Sequence, residues 1–295
     1  MAKRKTKAKR YAVQRHIEVQ PGSSTSQDQV VDIPASLSKL NHRLYRQSRA
    51  YTASVRMVDP PVANRTIDVY VLRDTWFLQK AYQLAKDTFD KNMSEERDIV
   101  SNTGRWNDFR INVLHKSGAV TLNPLARAQA NPSAVSSLTA GDFTPSLVYD
   151  EAGAAKGFGL YTTVLQYNIL EEYDKTANTD ASPSSLVGTD TAYDGLDDDL
   201  QTAARQHLET SGDLPPYNQD NLESEQLFRK VATLGDNGAG IGKTSTGVFE
   251  APLGLIFFAD GTITGSLEIA VNAGDYKGVH GVKYIEDKKF GHRRG

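Results

Sequence analysis

The chain has 295 residues, of which 39% are apolar and 24% charged, with a formal net charge of -2. That length suits one large all-β domain or two average ones. No cysteine is present, which excludes disulfides, thiolate metal sites and a cysteine nucleophile, and no apolar run is long enough to cross a bilayer as a helix. No signal peptide is read at the start of the chain.

Charge is unevenly distributed. Residues 1–16 carry Lys3, Arg4, Lys5, Lys7, Lys9, Arg10 and Arg15 and no acid. So dense a run releases counterions from a phosphate backbone, so these seven side chains are the candidate nucleic-acid contacts. The same composition suits a nuclear-localisation signal or a solvated tail. Tyr11 is the one aromatic in the run, so base stacking is minor and binding should be non-specific and steeply salt-dependent. Residues 17–36 read as a linker, with Pro21-Gly22 followed by Ser23, Ser24, Thr25 and Ser26. The folded part is expected to begin between Leu37 and Tyr45.

Strand signals follow. Residues 51–58 alternate and are rich in β-formers, Pro60 and Pro61 stop them, and residues 66–72 repeat the pattern. A helix is predicted over 74–92. Asp74 is read as its N-cap, and Phe77, Leu78, Ala81, Tyr82, Leu84, Ala85 and Phe89 fall at helical spacing. A second short turn is read over 93–100. Residues 108–114 alternate again, 116–143 read as loop, 146–149 as a short strand and 158–167 as a long one. Trp76 and Trp106 read as core or interface anchors.

Residues 171–226 hold fourteen acids and two bases, a net charge of -12. They read as a surface insertion with a short helix near Leu200–Leu208, and a loop of that length usually serves a function. Residues 225–232 read as a strand, and 235–242 are glycine-rich. Residues 248–258 and 262–271, joined at Asp260-Gly261, read as the best hairpin in the chain. The last eight residues, 288–295, are basic again through Lys288, Lys289, Arg293 and Arg294. About eight strands that do not alternate with helices argue for an all-β, antiparallel β-sandwich of jelly-roll type with one inserted helix. The domain reading is an arm and linker at 1–36, a shell of strands at 37–287 and a basic tail at 288–295.

Chemical motifs fail on spacing. The run Gly238 to Ser245 resembles a phosphate loop, but Asn237 stands where the first glycine is required. His16, His42, His115, His207, His280 and His292 never pair at metal-ligand spacing, although His280 near Lys283 could sit at an interface. No Gly-x-Ser-x-Gly elbow occurs. The run Asp197 to Asp199 lacks the spaced ligands of a calcium loop and reads as a solvated acidic loop. The expectation is no enzyme, no catalytic residue, no metal and no cofactor.

A basic arm ending Lys9-Arg10, a Ser-rich linker and an eight-strand β domain without cysteine resemble the capsid proteins of small icosahedral viruses. They look most like coats of small circular single-stranded DNA viruses; similar arms occur in RNA-virus coats. The resemblance implies a disordered arm, a shell of about sixty or more copies, and arms that point inward to neutralise the genome, with single-stranded DNA favoured over RNA. About sixty such arms would carry roughly 420 charges against on the order of a few thousand phosphates, so neutralisation would be partial. The acidic insertion would face outward, since an inner acidic loop repels a genome. The implied setting is the virion, with passage through a host nucleus, a host receptor met by exposed loops, and no membrane partner. The alternatives are a cellular β-sandwich nucleic-acid-binding module, a carbohydrate-active protein, and a virion surface protein that binds a receptor.

Overall fold

The computed structural model describes residues 12–22, 28–47, 49–59, 64–99, 108–127, 129–138, 146–149, 154–177, 227–236, 238, 242–259 and 265–283. The expectations for residues 1–11, Trp106, Asp197 to Asp199, the helix near Leu200–Leu208, His207, the turn at 260–261, and the tail at 288–295 with His292 concern positions outside these.

Two facing sheets dominate. Their main strands are β1 (His16–Val19), β2 (Gln29–Asp32), β3 (Arg49–Met57), β4 (Arg65–Leu72), β5 (Phe228–Asp236), β6 (Ser245–Ala251), β7 (Leu255–Ala259) and β8 (Leu267–Val271). The first sheet runs β1-β8-β3-β6, with Gly281–Lys283 also paired to β3. The second contains β5-β4-β7-β2, extended by Gly242–Lys243 beyond β5 and by Val120–Thr121 beyond β2. Every pairing among the eight is antiparallel. The described residues hold eighteen strands in five sheets, more than the eight expected. The surplus consists mostly of two- and three-residue pairs too short to leave a periodic signal.

Side-chain alternation explains the layers. Ile17, Val19, Ala53, Val55, Ile67, Val69, Ile256, Phe258, Leu267 and Ile269 point between the sheets and form one core. The second sheet is covered on its other face as well. There Leu255 and Phe257 meet Leu78, Ala81, Tyr82, Ala85 and Phe89 in a second core. Those five belong to α2 (Trp76–Ile99), which lies beyond α1 (Ile33–Asn41) in the chain and before α3 (Ile169–Ala177). A strand buried on both faces has no polar side to alternate with, hence the continuous apolar run of β7.

Several expectations need correction. The described residues among 17–36, namely 17–22 and 28–36, do not fit the linker reading. Ile17 and Val19 are fully buried in the first sheet, and α1 begins at Ile33. The folded unit therefore begins well before residue 37. Among the described residues three α-helices stand where one full helix was expected. α2 runs on to Ile99 without a second turn, and its cap is Thr75, whose Oγ1 accepts from the Leu78 N–H at 3.3 Å. Asp74 instead accepts from the Gln79 side chain. Residues 108–114 are extended and bury Phe109, Ile111 and Val113, but make only the isolated bridge Asn112–Gly159. Residues 158–167 break into Ala155–Gly159 and Gln166–Asn168, which pair in parallel. The expected hairpin of 248–258 with 262–271 does not form. A short turn at Pro252–Gly254 sends the chain from the first sheet into the second, and β8 then pairs with β1 and β3. Strands β3 and β4, the helix α2, the strand at Leu147–Tyr149 and the mostly β character match the sequence reading.

Candidate nucleic-acid interface

Lys3, Arg4, Lys5, Lys7, Lys9 and Arg10 lie outside the described residues, and Arg15 does not. Its carbonyl accepts from the Val271 N–H at 2.9 Å, and its guanidinium donates to the Val271 carbonyl at 3.3 Å. Just before it, the Gln14 N–H donates to Asn41 Oδ1 at 2.8 Å and the Asn41 amide returns a bond to the Gln14 carbonyl. Arg15 is therefore not a free arm cation, as the sequence reading expected. It is tied to the sheet edge because β1 must start there to bury Ile17.

Those bonds fix where the basic segment enters the fold. Asn41 closes α1, which Asp32 opens by accepting from the Ala35 N–H at 2.9 Å. Beyond α1 the chain turns through His42 at φ 53° and buries Tyr45. The Tyr45 hydroxyl donates to the Lys277 carbonyl at 3.0 Å, and the Lys277 ammonium bonds the Leu44 carbonyl. That ammonium also lies 5.7 Å and 5.4 Å from the ring centres of Tyr45 and Tyr276, within cation–π range. The Arg46 N–H donates to the Tyr276 hydroxyl, and the Tyr51 hydroxyl to the Arg46 carbonyl. Burial pushes the Tyr45 phenol up, against the pull of Arg43. With its aromatic side locked inward, the loop leaves His42, Arg43 and Arg46 exposed.

A buried network holds the loop from below. Gln47 donates to Asp32 Oδ2 at 3.0 Å and accepts from the Ile111 N–H at 2.9 Å. Arg110 donates to the Tyr45 carbonyl at 2.7 Å and approaches Asp32 at 3.5 Å. Burial pushes the Asp32 carboxyl up, while Arg110 pulls it down.

Residues 276–283 reach the same corner. Val13 packs at the edge of the inter-sheet core and against Gly278. The exposed His280 shares a 2.7 Å hydrogen bond with Thr52 Oγ1. Gly281–Lys283 then pairs with β3, Gly281 opposite Tyr51 and Lys283 opposite Arg49. Sequence reasoning missed His42, Arg43, Arg46 and Lys277 as a group, because Lys277 joins the others only through tertiary pairing. One signal was present: residues 33–58 contain Lys39, Arg43, Arg46, Arg49 and Arg56 and no acid.

The flanks of the acidic segment lie elsewhere. α3, ending at Ala177, packs on α2, and Leu227 belongs to the core beneath that helix.

Two further ionic clusters lie elsewhere on the two sheets. On the outer face of the first sheet, Glu268 binds His16 and accepts from Arg56 at 2.6 Å, and Arg127 donates to Glu18 at 2.7 Å beside a cavity of 480 Å³. Burial works to raise Glu268, but these hydrogen bonds hold it below the usual carboxylate range. Between β2 and the second core, Asp28 binds both His115 and Lys116. Gly242 and Lys243 of the glycine-rich run form a strand against β5 rather than a loop before a helix. Among the described residues no group of three or more metal-ligating side chains gathers, and no helix is long and apolar enough to cross a membrane. No family model, curated protein or solved structure matches the chain.

Proposed function

We propose that this chain is a structural capsid protein whose two sheets form a jelly roll and whose copies assemble into an icosahedral shell around a genome. The strand pairing carries the reading. Rolling one long hairpin of eight strands pairs first with eighth, second with seventh, third with sixth and fourth with fifth, and alternate pairs go to opposite sheets. The pairs β1–β8, β2–β7, β3–β6 and β4–β5 follow that rule, and the first and third fall in one sheet, the second and fourth in the other. Jelly rolls serve viral capsids, lectins and cupins. The basic N-terminal segment favours the capsid among these, because it gives the subunit a polyanion to enclose.

Subunit contacts have support too. Leu147, Tyr149, Val164 and Leu165 are exposed large apolar side chains on or beside one small sheet, and such groupings mark interaction surfaces. Single-stranded DNA is the favoured cargo, and the virion, reached through a host nucleus, is the setting that follows.

Negative-stain electron microscopy of the purified protein, with the 260/280 nm absorbance ratio of the same fraction, tests the reading. Uniform shells that carry nuclease-sensitive nucleic acid are expected. A monodisperse monomer or dimer free of nucleic acid at low salt would overturn it.

A further inference from the structure

We infer that β6 is a docking edge for a second copy of this chain. The β6 strands of the two copies pair antiparallel across a twofold axis, Val248 of each opposite Glu250 of the other, and the two first sheets become one. This deepens the assembly reading by naming one contact between copies, and a dimer alone would satisfy it.

The β3 ladder fixes which backbone groups of β6 face outward. The Val55 N–H donates to Thr246 Oγ1 at 3.0 Å and the Met57 N–H to the Thr244 carbonyl at 2.9 Å. On the other side, next to β8, the Thr52 carbonyl accepts from the Asn272 N–H and the Val58 N–H donates to the Ser266 carbonyl, both at 2.9 Å. Bonding groups alternate sides along a strand, so odd-numbered residues of β3 bond toward β6 and even-numbered ones toward β8. Register carries this over to β6. Phe249 opposite Ala53 and Ala251 opposite Tyr51 bond to β3, whereas Val248 opposite Ser54 and Glu250 opposite Thr52 turn their N–H and C=O groups away from it. Those four groups have no hydrogen-bond partner among the described residues.

The other sheet edges are covered or blunted. Beyond β2 lies Val120–Thr121, with the Val120 N–H donating to the Asp28 carbonyl and the Leu122 N–H to the Val30 carbonyl. The hairpin of Leu125–Arg127 with Val135–Ser137 lies against β1, and Arg127 donates to Glu18. β5 is capped at its end by Gly242–Lys243 and exposes Arg229 and Lys230 along the rest; such charges discourage strand addition. β6 has no strand beyond it among the described residues, and its Val248 is 65% exposed.

One register suits a second copy. A bulge between Ser245 and Val248, with Gly247 at φ 75°, interrupts the regular edge and leaves 248 and 250 as its outward-bonding pair. Antiparallel self-pairing of that pair exchanges four backbone hydrogen bonds about an axis at Phe249. The contact is isologous and closes with two copies. Glu250, the one charge in β6, then meets Val248 and not itself, so no like charges stand opposite. Phe249 and Ala251 keep their places in the inter-sheet core. Strand addition of this kind draws its affinity from main-chain hydrogen bonds.

Cysteine cross-linking tests the register, because the chain has no cysteine of its own. Val248→Cys and Glu250→Cys chains are co-expressed, oxidised and digested, and disulfide-linked peptides are quantified by mass spectrometry. Residues opposite each other in a bonded pair have Cα atoms about 5.5 Å apart, inside disulfide range; same-site cysteines lie diagonally at about 7–8 Å, outside it. Links from 248 to 250 should therefore exceed 248–248 and 250–250 links severalfold. Val248→Glu places like charges opposite each other and should weaken self-association in sedimentation by roughly 2- to 30-fold, and Val248→Glu with Glu250→Lys should restore it. Melting curves confirm that each variant is folded. Absence of 248–250 links, same-site links in equal amount, or unchanged association in Val248→Glu overturns the inference. Electron microscopy of the unmodified protein keeps the two readings apart. Links from 248 to 250 without shells would remove the capsid reading and leave the β6 contact, whereas shells without those links would do the reverse.

Discussion

His115 lies edge-on to Phe228 and Phe257, with ring centres 5.2 Å and 5.0 Å away, and its Nε2 is 3.0 Å from Asp28. Its Nδ1 is buried with no hydrogen-bond partner. Burial therefore lowers the imidazole from its ordinary value, although Asp28 pulls the other way. The unfolded chain takes up this proton first, near pH 6.5, so stability contributed by neutral His115 is lost as pH falls below that value. Asp28 adds to the loss at lower pH. Burial would raise it, but bonds from Lys116 and His115 hold it below the usual range, so its contribution fades as pH falls through the folded value. The melting temperature should drop between about pH 7 and pH 5, and His115→Gln should flatten that limb while Lys116 keeps its bond to Asp28. An equal slope in wild type and His115→Gln would refute this assignment. None of this was legible beforehand, because Asp28 and His115 are 87 positions apart and metal spacing was the only test a lone histidine allowed. Arg15 shows the opposite limit. Its charge was read correctly, but only the Val271 backbone reveals that it is already engaged.

Elements were legible where one periodic face meets one core. β3 and α2 have that character, and β4 alternates with Ile67, Val69 and Val71 in the first core; the two strands were placed within about two residues, whereas α2 was read to residue 92 and runs on to Ile99, with Thr75 rather than Asp74 as its cap. α1 was missed although Asp32 followed by Pro34 is a readable helix start, because its Ser-rich neighbourhood looked like linker. The hairpin was misread for a different reason. Residues 248–258 form one apolar run, yet β6 lines one sheet and β7 is buried in the other. The crossing depends on Leu253 at φ 55° and Gly254 at φ 74°. A Cβ at Gly254 would collide with the Pro34 ring and lie 2.8 Å from Tyr51 Cδ2. Gly254→Ala should therefore cost on the order of 1–3 kcal/mol through the backbone conformation and the clash. The expected signature in urea is a lower midpoint at unchanged slope; an unchanged midpoint would mean that the corner relaxes freely.

At the scale of the molecule, charge layout was readable and its attachment was not. Basic ends and an acidic middle stand out in the sequence. Only the tertiary pairing reveals that Val13 packs against Gly278 and that Gly281–Lys283 lies along β3, while α3 packs on α2 and Leu227 lies in the second core. The position of β1 separates the basic segment from the fold at a definable residue. Removing residues 1–11 takes away six of the seven N-terminal bases and none of the described contacts, so the melting temperature should stay within about 2 °C while encapsidated nucleic acid falls. Removing residues 1–19 also deletes β1, with the fully buried Ile17 and Val19. Each such side chain is worth about 1.5–3 kcal/mol, against a total stability of about 5–15 kcal/mol. The cut also bares one edge of β8, an open strand edge that invites aggregation. The shorter truncation should therefore stay soluble with less cargo, and the longer one should unfold or aggregate. If both behave alike in thermal melts, β1 is not the boundary between the genome-binding segment and the folded unit.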